Sequence, residues 1–506
     1  MPDKIMDRAL RWIDRMHDLP RLRRYFVLWL VGGFGALALP PLYIFPFGFF
    51  AFAFLYDALS RAVGIRQSII YGFMLHLGYF MAGLYWIGHA MLIDNGAFIW
   101  MYPLAVIALP ALLSLLYGAS LGAVSYVAAR RYRYYSTAHG AVFVGLFTIL
   151  EWLRGHLFTG FPWNLTGYMF GFSDALLQSA SIFGVYGLGF VFIGLSIALA
   201  FVARGYKSVF LPSVAVIVAM AVFGIVRLQN AAHDMVPDVR LRLVQPNIAQ
   251  QFKWDSTRAR DNFFNVVNIS KTPAQNPPTH IIWPETAVPY PVDRSKAVRM
   301  ELAQILPKGG QLIFGAPRAR YDGLSQITNL YNSLIVIDRD GDMIAEYNKS
   351  HLVPFGEYVP LPDILPIKKI AHGLMDYTPG PGPQTISLGN LPPFSPLICY
   401  EVIFPGHVQS PNGDAKWLLN ITNDAWYGAT AGPYQHLAHA RMRAIEEGLP
   451  MIRVANSGIS AVIDGYGNIL SKLPLNQMGY IDTQLPQASN ALTLYRRLSS
   501  LWESSF

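Results

Sequence analysis

The chain has 506 residues, of which 53% are hydrophobic and only 14% are charged, and it contains a single cysteine. One cysteine excludes an internal disulfide framework. The net charge of +8 is also typical of nucleic-acid binding, but the basic residues cluster at the ends of apolar runs, where they set membrane orientation. We therefore expect a protein with a membrane-embedded half and no nucleic-acid partner.

The first 24 residues mix six arginines with four aspartates, a pattern typical of a cytoplasmic amphipathic segment. No small-residue cleavage site separates this segment from the apolar sequence that follows, so the pattern does not indicate a removable signal peptide. We expect residues 1–24 to remain attached as a cytoplasmic N-terminal segment.

Seven apolar runs follow, each compatible with the roughly 20 residues that cross a bilayer. They lie near residues 25–40, 42–60, 68–91, 100–128, 140–157, 179–203 and 208–228. The sequence therefore predicts a membrane α-helical bundle of about seven spans over residues 25–230. Basic residues occur in alternate connections, at Arg61, in the segment 130–133 and at Arg204, which places those connections in the cytoplasm. Seven crossings then place the following globular half on the periplasmic side.

Charged residues stand out near the end of the fifth run. Glu151 and Arg154 are costly in a membrane unless they pair or face water, so residues of this kind are functional candidates. The alternative is an interfacial belt in which Trp152 and Trp163 lie at headgroup level while Glu151 pairs with Arg154. The sequence leaves both interpretations open.

From residue 231 to about 487 the pattern changes to short strands that alternate with helices, which is typical of layered α/β packing. Helices are predicted at 255–271, 294–306 and 434–447. Strands are predicted at 239–244, 279–283, 311–314, 329–337, 343–347, 395–398, 417–421, 451–454 and 461–463. Turn sequences at 338–341 and 464–467 are hairpin signals, so we expect a mixed sheet.

Three polar residues, Glu285, Lys349 and Cys399, each follow an apolar strand. In open α/β sheets ligands gather at strand ends, so we expect these side chains to converge. An isolated cysteine is ordinarily a small buried hydrophobic residue, but a thiol beside a base and a cation is an activated nucleophile. Glu285 can remove the thiol proton, and Lys349 can stabilise an oxyanion together with the N–H of Tyr400.

Three motifs around these residues resemble the carbon-nitrogen hydrolase, or nitrilase, superfamily. They are Trp-Pro-Glu-Thr at 283–286, Tyr-Asn-Lys-Ser-His-Leu-Val-Pro-Phe-Gly-Glu at 347–357 and Ile-Cys-Tyr-Glu at 398–401. Combined with the predicted spans, the sequence resembles the apolipoprotein N-acyltransferase family, and segments 151–155 and 423–427 extend the resemblance over nearly the whole chain. The resemblance implies a nitrilase-like αββα sandwich over 231–487 in which Glu285, Lys349 and Cys399 are the catalytic residues.

The resemblance further implies a ping-pong acyl transfer in the bacterial inner membrane. Cys399 would accept an acyl chain, as a thioester, from a phospholipid such as phosphatidylethanolamine. The α-amino group of the diacylglyceryl-cysteine at the N-terminus of an apolipoprotein would then accept the chain, which is the last step of lipoprotein maturation. The implied enzyme is a monomer among membrane lipids and uses no cofactor and no metal.

Further site residues are also implied by the resemblance. Glu357 falls where the family has a second essential glutamate, and Tyr400 and Glu401 match residues that members need beside the cysteine. Trp254 falls where the family has a tryptophan on a mobile loop over the lipid entry, and its alternative role is that of a core or interfacial aromatic residue. Phe355 and the residues after it either line an acyl-chain channel or pack as an ordinary loop.

Two histidines, His436 and His439, lie on one face of a predicted helix with Arg443. A catalytic or structural metal site needs further ligands at suitable spacing, and none stands there. We therefore predict that the pair packs or hydrogen-bonds near the site, as does Asn456.

The C-terminal segment 488–506 differs from the family pattern. Members usually carry a last transmembrane helix after the catalytic domain, whereas this segment is too short and too charged to span a bilayer. We expect a short tail without a clear final transmembrane helix.

Two other functions remain open at this stage. A membrane-tethered amide hydrolase would use the same glutamate, lysine and cysteine but would pass the acyl group to water. An inactive membrane scaffold would need no catalytic residues. The apolar spans favour lipid substrates over the first function, and the intact motifs argue against the second.

Overall fold

The computed structural model describes residues 14–15, 18–93, 98–231, 234–253, 255, 257–288, 292–322, 326–360, 362–363, 375–489 and 492–503. The chain divides into two compact units, one of Met1–Leu92 with Ile99–Asn230 and one of Ile93–Phe98 with Ala231–Phe506. Trp254 and most of the segment 1–24 lie outside the described residues, so the predictions for them are not addressed by the fold.

The first unit is helical at each of the seven predicted segments. Its helices are Arg21–Gly35, Phe45–Ser60, Ile65–Leu92, Ile99–Ala129, Thr137–His156, Ala180–Ala203 and Lys207–Gln229, with short helical turns at Ala36–Ala38, Thr166–Phe172 and Asp174–Leu177. Among the described residues four helices are long and apolar enough to cross a membrane: Ile65–Leu92, Ile99–Ala129, Ala180–Ala203 and Lys207–Gln229. The sequence predicts seven such spans. Two of the remaining helices have only 15 and 16 residues, and the third carries Glu151 and Arg154 in its interior.

Small residues allow two helices of this unit to approach closely. A Cβ on Gly32 would overlap the carbonyl of Leu75, and a Cβ on Gly78 would overlap the carbonyl of Trp29. Membrane helices gain little from hydrophobic burial against lipid, so close backbone packing of this kind is a main source of their association.

Glu151 and Arg154 are buried inside the first unit, with 7% and 3% exposure. Their side chains pair at 3.8 Å. The Glu151 carboxylate also accepts hydrogen bonds from the N–H and hydroxyl of Thr166, both at 2.9 Å, and Arg154 donates to the carbonyl of Trp163. The predicted pairing of Glu151 with Arg154 is confirmed. Trp163 is buried within the protein, and its place at headgroup level stays a prediction.

The second unit contains two six-stranded mixed sheets. Their strands are β1 Met235–Gln245, β2 His280–Ile282, β3 Gln311–Tyr321, β4 Ile327–Ile337, β5 Met343–Asn348, β6 Ile386–Leu388, β7 Leu391–Ile398, β8 Trp417–Thr422, β9 Met451–Ala455, β10 Ser460–Ile463, β11 Ile469–Leu473 and β12 Gly479–Pro486. The strand orders are β12-β1-β2-β3-β4-β5 in the first sheet and β11-β10-β9-β8-β7-β6 in the second. The trios β1-β2-β3 and β7-β8-β9 are parallel. Both predicted hairpins are confirmed, as β4-β5 and β10-β11.

Apolar residues from both sheets form one core, which includes Leu243, Ile313, Leu419 and Ile452. The helices of this unit are Gln250–Lys253, Ala259–Ser270, Lys296–Ala303, Gly432–Glu447 and Leu494–Glu503. A second core lies between the first sheet and its helices, around Trp283, while Gly432–Glu447 contacts β9 of the other sheet. The predicted layered α/β sandwich is confirmed. The layers form because the central strands are apolar on both faces, so that each face must be covered by another sheet or by helices.

Candidate active site

The three predicted strand-end residues come from both sheets of the sandwich. Glu285 follows β2, Lys349 directly follows β5 in the same sheet, and Cys399 directly follows β7 in the other sheet. The Nζ atom of Lys349 lies 3.7 Å from Oε1 of Glu285, and the charges of both residues act on the Cys399 thiol. All three side chains are buried. The structure thus brings a carboxylate, an ammonium and a thiol into one water-poor site.

A sharp turn presents Cys399 at the end of β7. Its φ of 51° lies in the left-handed region that residues other than glycine seldom adopt, so neighbouring contacts must hold the turn. Glu401 supplies them. One of its oxygens accepts the N–H of Ile398, and the other accepts the Tyr347 hydroxyl and the N–H of Ser350, each at 2.7 Å. Glu401, which the resemblance implies as a supporting residue, therefore fastens the cysteine turn to the end of β5.

Glu357 and Asn332 hold the charged side chains in place. The Lys349 ammonium lies 3.0 and 2.9 Å from the two oxygens of Glu357. The Nδ2 atom of Asn332 donates to Glu285 at 2.7 Å and to Glu357 at 2.9 Å. Burial alone would lower the pKa of Lys349, but the carboxylates of Glu357 and Glu285 raise it well above its usual value. The Lys349 side chain therefore favours its protonated form, whose positive charge can stabilise an oxyanion.

The Cys399 side chain favours the protonated thiol. Burial raises the pKa of Cys399 to about 12; the Glu285 carboxylate acts in the same direction, and Lys349 opposes them. At neutral pH the thiolate is scarce, so nucleophilic attack by this sulfur would require a base to take the proton. Of the two glutamates beside Lys349, Glu357 binds the ammonium at hydrogen-bond distance, whereas Glu285 lies 3.7 Å from it.

A buried polar network lies behind the cysteine turn. His436 places Nε2 at 3.1 Å from the Cys399 carbonyl and Nδ1 at 2.8 Å from Oδ1 of Asp424. Arg453 donates to the other Asp424 oxygen at 2.6 Å. Burial would raise the pKa of Asp424, but Arg453 and His436 lower it well below its usual value. This network supports the Cys399 backbone, and it confirms that His436 hydrogen-bonds near the site.

The donor atoms of Cys399, Asp424 and His436 lie within 4.8 Å of one another, which is compatible with metal binding in terms of distance. Arg453 nevertheless ion-pairs with Asp424 at the centre of this group. A divalent cation would have to displace a buried guanidinium, which is unfavourable because the guanidinium would lose its charged partner. The donor set therefore fits a hydrogen-bonded network better than a metal centre.

Two residues of the site carry no motif in the sequence and were missed. Asn332 is a buried residue of the apolar strand β4, and its amide donates hydrogen bonds to the carboxylates of Glu285 and Glu357. In the sequence, only the presence of a polar residue at an inward position of an apolar strand could have indicated a role for it. Lys253 is also buried and donates to the Glu285 carbonyl at 2.9 Å. No sequence pattern connects Lys253 to Glu285, because their contact forms only in the fold.

The other predicted site residues differ in placement. Tyr400 is buried, and its ring packs against those of His351 and Phe404. Phe355 is 40% exposed in the loop between Lys349 and Glu357, so it is available at the surface of that loop. Its role in binding acyl chains stays a prediction, as does the role of Trp254.

Comparison with known proteins decides the family. A model described as the apolipoprotein N-acyltransferase N-terminal domain matches residues 31–199, and a model described as carbon-nitrogen hydrolase matches residues 240–493. The apolipoprotein N-acyltransferase of Rhodopseudomonas palustris is 38% identical in an alignment 504 positions long that covers 95% of this chain and 92% of that protein. This chain belongs to the apolipoprotein N-acyltransferase family.

A second sequence relative agrees with this family assignment. The apolipoprotein N-acyltransferase of Rickettsia prowazekii is 36% identical over 475 residues, or 93% of this chain and 94% of that protein. An amidase of the nitrilase superfamily from Nesterenkonia is similar in structure, with 18% identity, coverage of 55% of this chain and 100% of that one, and a TM-score of 0.38. The assignment to the apolipoprotein N-acyltransferase family rests on the sequence relatives, which match over both units.

Proposed function

We propose that this protein transfers an acyl chain from a phospholipid, through a thioester on Cys399, to the α-amino group of the diacylglyceryl-cysteine at the N-terminus of apolipoproteins. One observation carries the proposal: Glu285, Lys349 and Cys399 converge in a chain whose relatives of similar length are named apolipoprotein N-acyltransferases. Phosphatidylethanolamine is the proposed acyl donor, and the protein acts as a monomer.

In the first half-reaction Glu285 accepts the thiol proton while the Cys399 sulfur attacks the ester carbonyl of the phospholipid. Lys349 and the Tyr400 N–H stabilise the oxyanion. The carbon–oxygen bond then breaks, and Glu285 returns the proton to the leaving lysophospholipid, which leaves a thioester on Cys399.

In the second half-reaction the α-amino group of the acceptor attacks the thioester carbonyl. Glu285 takes a proton from the attacking amine, the carbon–sulfur bond breaks, and Glu285 delivers that proton to the departing cysteine sulfur, which restores the free enzyme. The product is an N-acylated lipoprotein. Cys399 is the only cysteine in the chain, so a thioester can form at no other residue.

The membrane topology is part of this proposal. Seven crossings over 25–230, with residues 1–24 in the cytoplasm and residues 231–487 in the periplasm, would place the site where both acyl-chain substrates reside. Helices at all seven segments and the basic connections support it. Cysteines introduced one at a time into a Cys399→Ser background test it with a membrane-impermeant maleimide on intact cells. Lys416→Cys should be labelled and Arg66→Cys should be protected, and the reverse pattern would overturn the topology.

Purified protein incubated with labelled phosphatidylethanolamine and a diacylated lipopeptide tests the reaction. We expect N-acylated peptide with the wild type and none with Cys399→Ala, and a labelled thioester on Cys399 when the peptide is omitted. Free fatty acid with unmodified peptide would instead favour the membrane-tethered amide hydrolase. The exposed substitution Lys296→Met, outside the site, is the matched control.

A further inference from the structure

Lys253 is a buried cation at the site that the proposed reaction does not use. It ends the short helix Gln250–Lys253 and is 4% exposed. Its ammonium donates to the main-chain carbonyl of Glu285 at 2.9 Å. A lysine costs free energy to bury unless it is paired and hydrogen-bonded, so its place beside the proposed base needs an explanation.

The segment that carries Lys253 is fixed by amide side chains. Asn456 accepts the N–H of Ile248 at 3.0 Å and donates to its carbonyl at 2.7 Å. Asn423 donates to Gln250 at 2.6 Å and accepts from Asn456 at 2.9 Å. Asn423 directly follows β8, so this chain of amides joins the lysine segment to the sheet that carries Cys399.

Lys253 is a second buried cation of the site, beside Lys349. The carboxylates of Glu285 and Glu357 lie in the same site, joined by the Asn332 amide. Burial lowers the pKa of Lys253 to about 8, against the opposing charges of Glu285 and Cys399, so Lys253 carries most of a positive charge at neutral pH. Loss of this charge would remove a cation that interacts with Glu285 and Cys399, which would disfavour a negative charge on the sulfur.

We propose that Lys253 is a positioning residue of the acyl-transfer site, which holds the Glu285 main chain in place and supplies the second positive charge that stabilises a developing thiolate on Cys399. This inference rests on the proposed function for the name of the reaction alone. The effect of the Lys253 charge on the Cys399 thiol is present in the protein without substrate. Lys253 acts through Glu285 and through its charge.

The rate of Cys399 alkylation by iodoacetamide measures this effect directly on the full-length protein in detergent. Cys399 is the only cysteine, so no other thiol reacts. We expect Lys253→Met and Lys253→Gln to slow alkylation at neutral pH about tenfold, since loss of one nearby opposite charge raises a thiol pKa by about one unit. Lys253→Arg, which keeps the charge, should stay close to the wild-type rate, and so should the control Lys296→Met.

Lys253→Gln retains a donor for the Glu285 carbonyl and therefore separates the charge from the hydrogen bond. Wild-type alkylation in Lys253→Gln would overturn the proposal, and so would equal slowing in the Met, Gln and Arg variants, because charge would then not be the property that matters. A thermal midpoint recorded for each variant detects simple unfolding. Failure of the proposed function would give a different result. In that case the Cys399→Ala variant would still acylate the lipopeptide, and this outcome does not depend on the alkylation rates of the Lys253 variants.

Discussion

Glu357 binds Lys349 through both carboxylate oxygens, at 3.0 and 2.9 Å, whereas the nearest oxygen of Glu285 lies 3.7 Å from the same ammonium. The two glutamates of the site are thus not equivalent. Glu357 anchors the lysine, which leaves the Glu285 carboxylate able to exchange a proton with the nucleophile.

Replacement of Glu357 by glutamine should slow thioester formation by about ten- to a hundredfold, the range expected for loss of one charged hydrogen bond. The amide keeps the shape of the side chain but not its charge, so Lys349 would turn toward Glu285 and bind the base. Single-turnover formation of the labelled thioester measures the effect. An unchanged rate in folded protein would show that Lys349 does not need this anchor.

Asn332→Ala should slow thioester formation and lower stability by about 1–3 kcal/mol, because it removes the amide donor of the buried Glu285 carboxylate and one of the donors to Glu357. Asn329→Ala is a matched control on the same strand, since Asn329 bonds only Thr378 among the partners described, at 3.2 Å. Thermal midpoints and thioester rates of the two variants provide the comparison. Equal thermal midpoints and equal thioester rates in the two variants would contradict a role for Asn332 in the site.

Gly315→Ala should misplace the base. A Cβ at Gly315 would lie 2.6 Å from the Cα of Glu285 and 2.5 Å from the N of Thr286, so the Glu285 segment must shift. A displacement of about 1 Å in a reacting group can cost about a hundredfold in rate. The control is Gly389→Ala, where a Cβ meets nothing within 4 Å. Acyl-transfer rates close to wild type in Gly315→Ala would contradict the tight packing behind Glu285.

Alkylation of substrate-free Cys399 should keep rising as the pH is raised above neutral, because burial raises its pKa to about 12. A group whose pKa is raised holds its proton longer, so the thiolate fraction is low at neutral pH and grows toward alkaline pH. An exposed cysteine, introduced by Lys296→Cys in the Cys399→Ser background, should instead level off above its ordinary pKa of about 8.5. A plateau for Cys399 near neutral pH would mean that the thiolate is already formed.

Asp424→Asn should destabilise the protein by about 3–5 kcal/mol, because it leaves the buried Arg453 without its charged partner. Asp342→Asn offers a control in an exposed ion pair with Lys296, where screening by solvent leaves little to lose. The thermal midpoint of each variant reports the difference. A small loss of stability in Asp424→Asn would mean that another group compensates the charge of Arg453.

The sequence by itself determined the two halves of the protein and the three residues at strand ends. Long apolar runs predict helices, and a helix forms from local hydrogen bonds, so all seven segments are helical. Alternating strands and helices likewise predict the α/β sandwich. Cys399, Glu285 and Lys349 could be chosen because each polar residue follows an apolar strand.

Beyond Glu357, Tyr400 and Glu401, only the tertiary structure decided which side chains surround those three. Asn332 and Lys253 reach Glu285 from distant positions in the chain, and Asp424 meets Arg453 and His436 behind the cysteine. Such contacts depend on how two sheets and their connections pack, and local patterns do not encode them. The same reason applies to Glu151 and Arg154, whose pairing is local along one helix but whose burial depends on the segment 159–166 folding over them.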